Sequence, residues 1–214
     1  MSLRTLSTLE ARVLAVLVEK QATVPDSYPL SLNSLTLGCN QKTARDPVMN
    51  ASEPEVLQAL EELKSMHLVN EVSGSRVVRF EHNGARGLGV PGAGLAILTV
   101  LLLRGPQTTA ELRLNTERLH RFADLSSVEG FLDELAERSP PLVVRLAKAP
   151  GAREARWAHL LCGEVAQPTA SAMPASARDD ELDYLRAEQQ RLRTELEQLK
   201  TLVERMASEL GIAS

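Results

Sequence analysis

Val56, Leu60 and Leu63 are each followed, 72 positions later, by Val128, Leu132 and Leu135. Three apolar residues at spacings of four and three share one face of an α-helix. A repeated triplet of this kind therefore asks for two helices with the same buried stripe. The surroundings repeat as well. Ser7 and Glu10 make an S-x-x-E capping box that predicts a helix start, and Leu6, Leu9, Val13, Val16 and Leu17 follow at helical spacing. That helix should stop before Pro25. "PLSLNSLTLGCN" reads as a second, shorter helix with Leu32, Leu35 and Cys39 inward. Ser52 and Glu55 open the third, with Pro54 in the first turn, where its missing N–H costs nothing. "LVNEV" and "RVVRFEH", on either side of Ser73-Gly74-Ser75, read as a β-hairpin.

The order then returns. "GLAILTVLLLRG" matches the first helix, "QTTAELRLN" with its Thr108-x-x-Glu111 box the second, and "DLSSVEGFLDELAER" the third. "LVVRLAKAPGAREARWAHLL" is the second hairpin, with Pro150-Gly151 in its turn. Pro29 and Leu35 match Pro106 and Leu112 at an offset of 77 rather than 72, a difference that loops absorb. Three helices and a hairpin are the winged-helix plan. The expected fold class is mainly α with small β-hairpins (α+β): two tandem winged-helix domains followed by a C-terminal coiled-coil helix. The expected boundaries are 1–83 for the first domain, 84–93 for an interdomain linker, 94–165 for the second domain, 166–180 for a flexible linker and 181–214 for the helix.

"LEARVLAVLVEK", "YPLSLNSLTLGCNQKTARDPVMN", "ILTVLLLRGPQTTAELR" and "VVRLAKAPGAREARWAHLLCGE" resemble the YceH family of bacterial proteins over roughly residues 5–165. The resemblance implies a tandem winged-helix fold. It brings no catalytic or ligand residues to carry over.

The tail has its own pattern. Residues 164–180 shift to Ala, Pro, Ser and Thr, a linker composition. Beyond them, Leu182, Gln189, Leu196, Val203 and Leu210 fall at heptad a positions, and Leu185, Leu192, Leu199 and Met206 at d. The g residues Glu181, Glu188 and Glu195 face the e residues Arg186, Arg193 and Lys200 in a parallel pair, and like charges would meet in an antiparallel one. The expectation is a parallel homodimer held by Leu185, Gln189, Leu192, Leu196, Leu199, Val203 and Met206, the alternative being a single solvated or folded-back helix.

In a DNA-reading helix-turn-helix the third helix enters the major groove with Arg, Lys, Asn or Gln outward. Here the outward face is Glu55, Gln58, Glu62 and Ser65, and residues 53–66 carry four glutamates against Lys64. In the second copy Asp124, Glu129, Asp133, Glu134 and Glu137 face Arg138. Acidic helices oppose docking on phosphate. The basic candidates lie elsewhere: Lys42 and Arg45 before the third helix, Arg76 and Arg79 on the first hairpin, and Arg145, Lys148, Arg153 and Arg156 on the second. The nucleic-acid-binding candidates are Lys42, Arg45, Arg145, Lys148, Arg153 and Arg156. Their alternative roles are an ordered loop and a solvated strand. Two functions stay open: a transcriptional regulator associated with double-stranded DNA, and an interaction scaffold whose acidic third helices meet a protein partner.

Composition narrows the rest. A net charge of −4 does not point to general affinity for polyanions, though the charge can be unevenly spread, and 43% hydrophobic residues with 3% aromatic predict aliphatic cores. "MSLRTLSTLEARVLAVLVEK" lacks a signal-peptide plan, and the run at 94–103 is too short to span a bilayer, so a cytoplasmic protein is expected, with no membrane partner. His67, His82, His120 and His159 sit at no metal-ligand spacing. "NGARGLGVPGAG" lacks the context of a phosphate loop and reads as a flexible hinge. Cys39 is expected buried, and Trp157 a core anchor rather than a base-stacking ring. Neither catalysis nor a metal, cofactor or small-molecule ligand is expected.

Overall fold

Two helices are covered on every side along most of their length. Helix α1 (Thr8–Thr23) is buried from Glu10 to Val18, and α5 (Gly92–Arg104) from Ala93 to Leu103. A helix on the surface of a domain hides one stripe; one hidden all round lies in the middle. The two pack on each other at the centre of the described residues. The computed structural model describes residues 4–72, 77–148 and 151–165.

Around α1 lie β1 (Leu30–Ser31), α2 (Leu32–Cys39), α3 (Glu53–Ser65), β2 (Val69–Val72) and β3 (Arg79–His82). The sheet order is β1-β3-β2, antiparallel, with Leu30 opposite Phe80 and Val69 opposite His82. Around α5 lie α6 (Thr109–Asn115), α7 (Leu125–Ala136), β4 (Val143–Arg145) and β5 (Trp157–His159). Val143 pairs with His159. Gln107 and Trp157 exchange backbone hydrogen bonds at 3.0 and 2.7 Å, so Gln107 takes the place that Leu30 has in the first half. The chain is thus α+β, and the order helix, short strand, helix, helix, two strands occurs twice. The repeated triplets fill equivalent places, with Val56, Leu60, Leu63, Val128, Leu132 and Leu135 all buried, as are Leu35 and Leu112.

The capping boxes form as the sequence predicts at Ser7, Ser52 and Thr108. The buried polar residues of α1 take partners from outside the helix, although Arg12 Nε, also buried, has none among the described residues. Arg4 grips the Glu10 carboxylate at 2.8 and 2.9 Å, and Arg12 donates to the carbonyls of Cys39 (3.1 Å) and Pro47 (2.7 Å).

The glycine-rich segment differs from the flexible hinge expected. Gly84–Leu88 forms a short helix, α4, closed by Gly89 at φ 63, the left-handed region that favours glycine. Leu88 and Val90 are buried in the core, and Arg138 donates to the carbonyls of Leu88 and Gly89 at 3.0 and 2.9 Å. Its buried apolar side chains anchor it, and its glycines serve the packing, since a Cβ on Gly87 would lie 2.6 Å from the Leu68 side chain. The described residues between 4 and 165 accordingly share one core, which runs through both halves. No helix among the described residues is long and apolar enough to cross a membrane. The linker and heptad segments expected at 166–180 and 181–214 lie outside the described residues.

Candidate functional site

The six cations singled out from the sequence do not form one patch. Lys42 is exposed on the loop between α2 and α3. Arg45, three residues on, is 6% exposed. Its guanidinium donates to Glu19 at 2.6 and 3.1 Å, to Gly38 O at 3.2 Å and to Ala44 O at 2.9 Å. The expectation that Arg45 contacts phosphate is therefore corrected: it is an internal strut that ties the loop to α1. Burial pushes the Glu19 carboxyl up, but the bonds from Arg45 and the charge of Lys20 more than offset this and hold it below its ordinary value. Asn40 exchanges two hydrogen bonds with Ala51, and Asp46 N–H donates to Leu103 O at 2.7 Å. Residues 40–47, "NQKTARDP", are thus held to α1, α2, α5 and Ala51 by these bonds. Cys39 beside them is buried, which pushes its thiol up to about 12, far from a reactive thiolate.

On the second hairpin, Arg156 is engaged too. It makes a bidentate pair with Glu111 at 2.8 and 3.0 Å and donates to Pro106 O at 2.8 Å, sewing the strand to the start of α6. Arg145 lies over the Trp157 ring, 6.0 Å from its centroid. Trp157 itself is buried in the core and offers no face for a base. Lys148 and Arg153 are exposed. Arg145, Lys148 and Arg153 line a groove whose other wall carries Glu129 and Asp133 of α7, with Glu154 beside them. Cations and carboxylates are balanced there. Arg79, on β3, is turned inward and donates to Pro29 O at 2.7 Å.

The corresponding groove of the first half has a different chemistry. It runs between α3 and β3, with a volume of about 460 Å³. Leu57, Val77 and Val78 line it and are 41%, 56% and 47% exposed. Phe80, buried at its base, belongs to the core. Glu53 and Glu61 on α3 and Glu71 on β2 stand along the rim. Lys64 bridges Glu61 (3.1 Å) and Glu71 (2.7 Å), and Asn33 donates to Glu53 at 3.1 Å.

Sequence reasoning passed over this groove. Two signals for it were present. Val77 and Val78 are adjacent in an extended segment, so they cannot both face inward. Leu57 lies off the Val56–Leu60–Leu63 stripe, on the acidic side of its helix.

The dimerisation candidates Leu185, Gln189, Leu192, Leu196, Leu199, Val203 and Met206 lie outside the described residues.

The family model described as "Protein of unknown function, DUF480" matches residues 6–152. A UPF0502 protein of Leptothrix cholodnii is 63% identical over 215 residues, covering 98% of this chain and 97% of the relative. A UPF0502 protein of Burkholderia orbicola is 64% identical over 216 residues, with 99% and 92% covered, and one of Burkholderia pseudomallei strain K96243 is 64% identical over 214, with the same coverage. A family match over most of the chain, and relatives aligned nearly end to end, agree with the YceH resemblance: the chain belongs to the DUF480 (UPF0502) family.

Proposed function

We propose that this chain is a non-enzymatic tandem winged-helix adaptor that docks other proteins rather than reading DNA bases. The twofold order of helix, short strand, helix, helix and two strands supports the winged-helix reading, with Gln107 supplying the short strand of the second half. One observation carries the choice of function. The third helix of each half turns carboxylates outward where a reader of DNA turns cations: Glu55, Glu61 and Glu62 on α3, and Glu129, Asp133 and Glu134 on α7. The heptads of residues 181–214 support a parallel homodimer, which doubles the docking surfaces on one particle and raises the avidity of each contact.

A second reading rests on Lys148 and Arg153, both exposed on the second hairpin, and on Lys42. These residues suit contact with phosphates without base readout. Titration of the full chain with random duplex DNA at low ionic strength separates the two. The adaptor reading expects no binding. Binding that weakens with salt at a log–log slope of about −0.9 per phosphate, with a slope whose magnitude falls by about 2 in the Lys148→Ala, Arg153→Ala chain, would replace it with the phosphate reading.

A further inference from the structure

Eight large apolar side chains are exposed among the described residues, and three of them, Leu57, Val77 and Val78, converge on one groove. Exposed aliphatic residues scattered singly need no explanation; gathered in a groove with a charged rim they mark a contact surface. We infer that the groove between α3 and β3 is the docking site for a short amphipathic segment of a partner, aliphatic on one face and flanked by lysine or arginine. This rests on the adaptor reading and names the chemistry of its partner.

The rim decides the charge. Glu53 and Glu61 lie on the α3 wall and Glu71 on the opposite one, and Lys64, tied to Glu61 and Glu71, cancels only part of their charge. Such a rim repels phosphate and anionic headgroups and attracts cationic side chains. The wall decides the length. Glu53, Leu57 and Glu61 follow one another at intervals of four along α3, a stripe about 12 Å long at 1.5 Å per residue. Two turns of a docked helix span about 11 Å, so a helix with aliphatic residues at i, i+3 or i+4 and i+7 fits the floor. Cations near both ends of such a segment meet Glu53 and Glu61. The matching groove of the second half, where Glu129 and Asp133 face Arg145 and Lys148, lacks this one-sided charge.

The probe is a pair of fluorescein-labelled helical peptides with the same leucine and valine face, one with lysine flanks and one with glutamate flanks. Each is titrated against the full chain by fluorescence anisotropy. The lysine peptide is expected to bind at least tenfold more tightly than the glutamate peptide. Leu57→Ser with Val78→Ser should weaken it at least tenfold, whereas Leu114→Ser, at an exposed apolar site outside the groove, should not. Glu53→Lys with Glu61→Lys should reverse the preference between the peptides. These residues are exposed, so circular dichroism and the unfolding midpoint serve as controls for folding. Unchanged affinity in the Leu57→Ser, Val78→Ser chain would reduce the interaction to general charge attraction and overturn the assignment, as would equal binding of both peptides or binding of neither. With DNA unbound at low salt, those results sink this groove alone; salt-dependent DNA binding through Lys148 and Arg153 sinks the adaptor reading itself.

Discussion

The two halves of this chain agree inside and disagree outside. Leu30, Leu35 and Phe80 correspond to Gln107, Leu112 and Trp157 at an offset of 77, and the third helices correspond at 72. Five residues are therefore longer in the first half before α3, and five are longer in the second half after α7. The first surplus is the loop that Arg12 and Arg45 pin to α1. Of the second surplus, two residues lengthen the connector from α7 to β4 and three extend the hairpin that carries Lys148 and Arg153, since Val69 and Val143 correspond at 74 and His82 and His159 at 77. Core positions are held to a pattern because each must fit its neighbours; the groove between third helix and hairpin is under no such demand. One half has made it apolar with an acidic rim, the other charged on both walls.

The loop is where the comparison breaks most sharply. Glu19→Ala would leave the Arg45 guanidinium buried without its carboxylate, at an expected cost of about 3–5 kcal/mol. In the corresponding turn of the second half Arg118 and Arg121 are exposed, and replacing either with Ala should cost under about 0.5 kcal/mol. Urea unfolding of the three variants measures both; equal losses would show that the two loops are held alike.

The third helices test the agreement. Leu60 and Leu132 are both 0% exposed, and truncation of either to Ala should cost about 2–5 kcal/mol. Because the halves share a core, either change should lower a single unfolding transition of the described region. Two separated transitions would divide it where this account joins it.

A smaller effect sharpens the comparison at the last strand, where His82 and His159 hold matching positions opposite Val69 and Val143. Nδ1 of His82 accepts from Gly84 N–H at 3.2 Å and Nε2 lies 2.7 Å from Gln21 Oε1, whereas Nδ1 of His159 is buried with no hydrogen-bond partner. Burial lowers the pKa of both, that of His159 to about 4. A histidine depressed in the fold stays neutral while the unfolded chain takes up a proton. Stability contributed by His159 is thus full above about pH 6.5, falls as pH drops below that value, and levels off below about 4. Between pH 7 and 5 the expected loss is about 2 kcal/mol. His82 acts in the same direction. Urea midpoints across this window, for the native chain and for His159→Leu, measure the share of His159; an unchanged slope in the variant would remove it.

The sequence made the helix starts at Ser7, Ser52 and Thr108 readable because a capping box is closed within four residues. The core triplets were readable through their period. The fate of Arg45 was not, since its carboxylate partner lies 26 residues away on α1 and only the packed fold brings them together. "NGARGLGVPGAG" misled for the opposite reason: its glycines suggest freedom, but Leu88 and Val90 anchor it. The apolar groove was not readable because Val77 and Val78 precede β3 and are both exposed, which alternation along "RVVRFEH" does not foresee.

The mutual burial of α1 and α5 has an evolutionary price. A repeat joined by a loose tether can be copied, shuffled or lent to another gene one unit at a time. Here each half is the other's lid. A chain cut at the connector between α4 and α5 would bare the apolar side of α1 or of α5 to water, and such a fragment is expected to precipitate rather than fold. The doubled unit can be inherited only as a doublet, with its two unlike grooves held at a fixed spacing by the pair of helices between them.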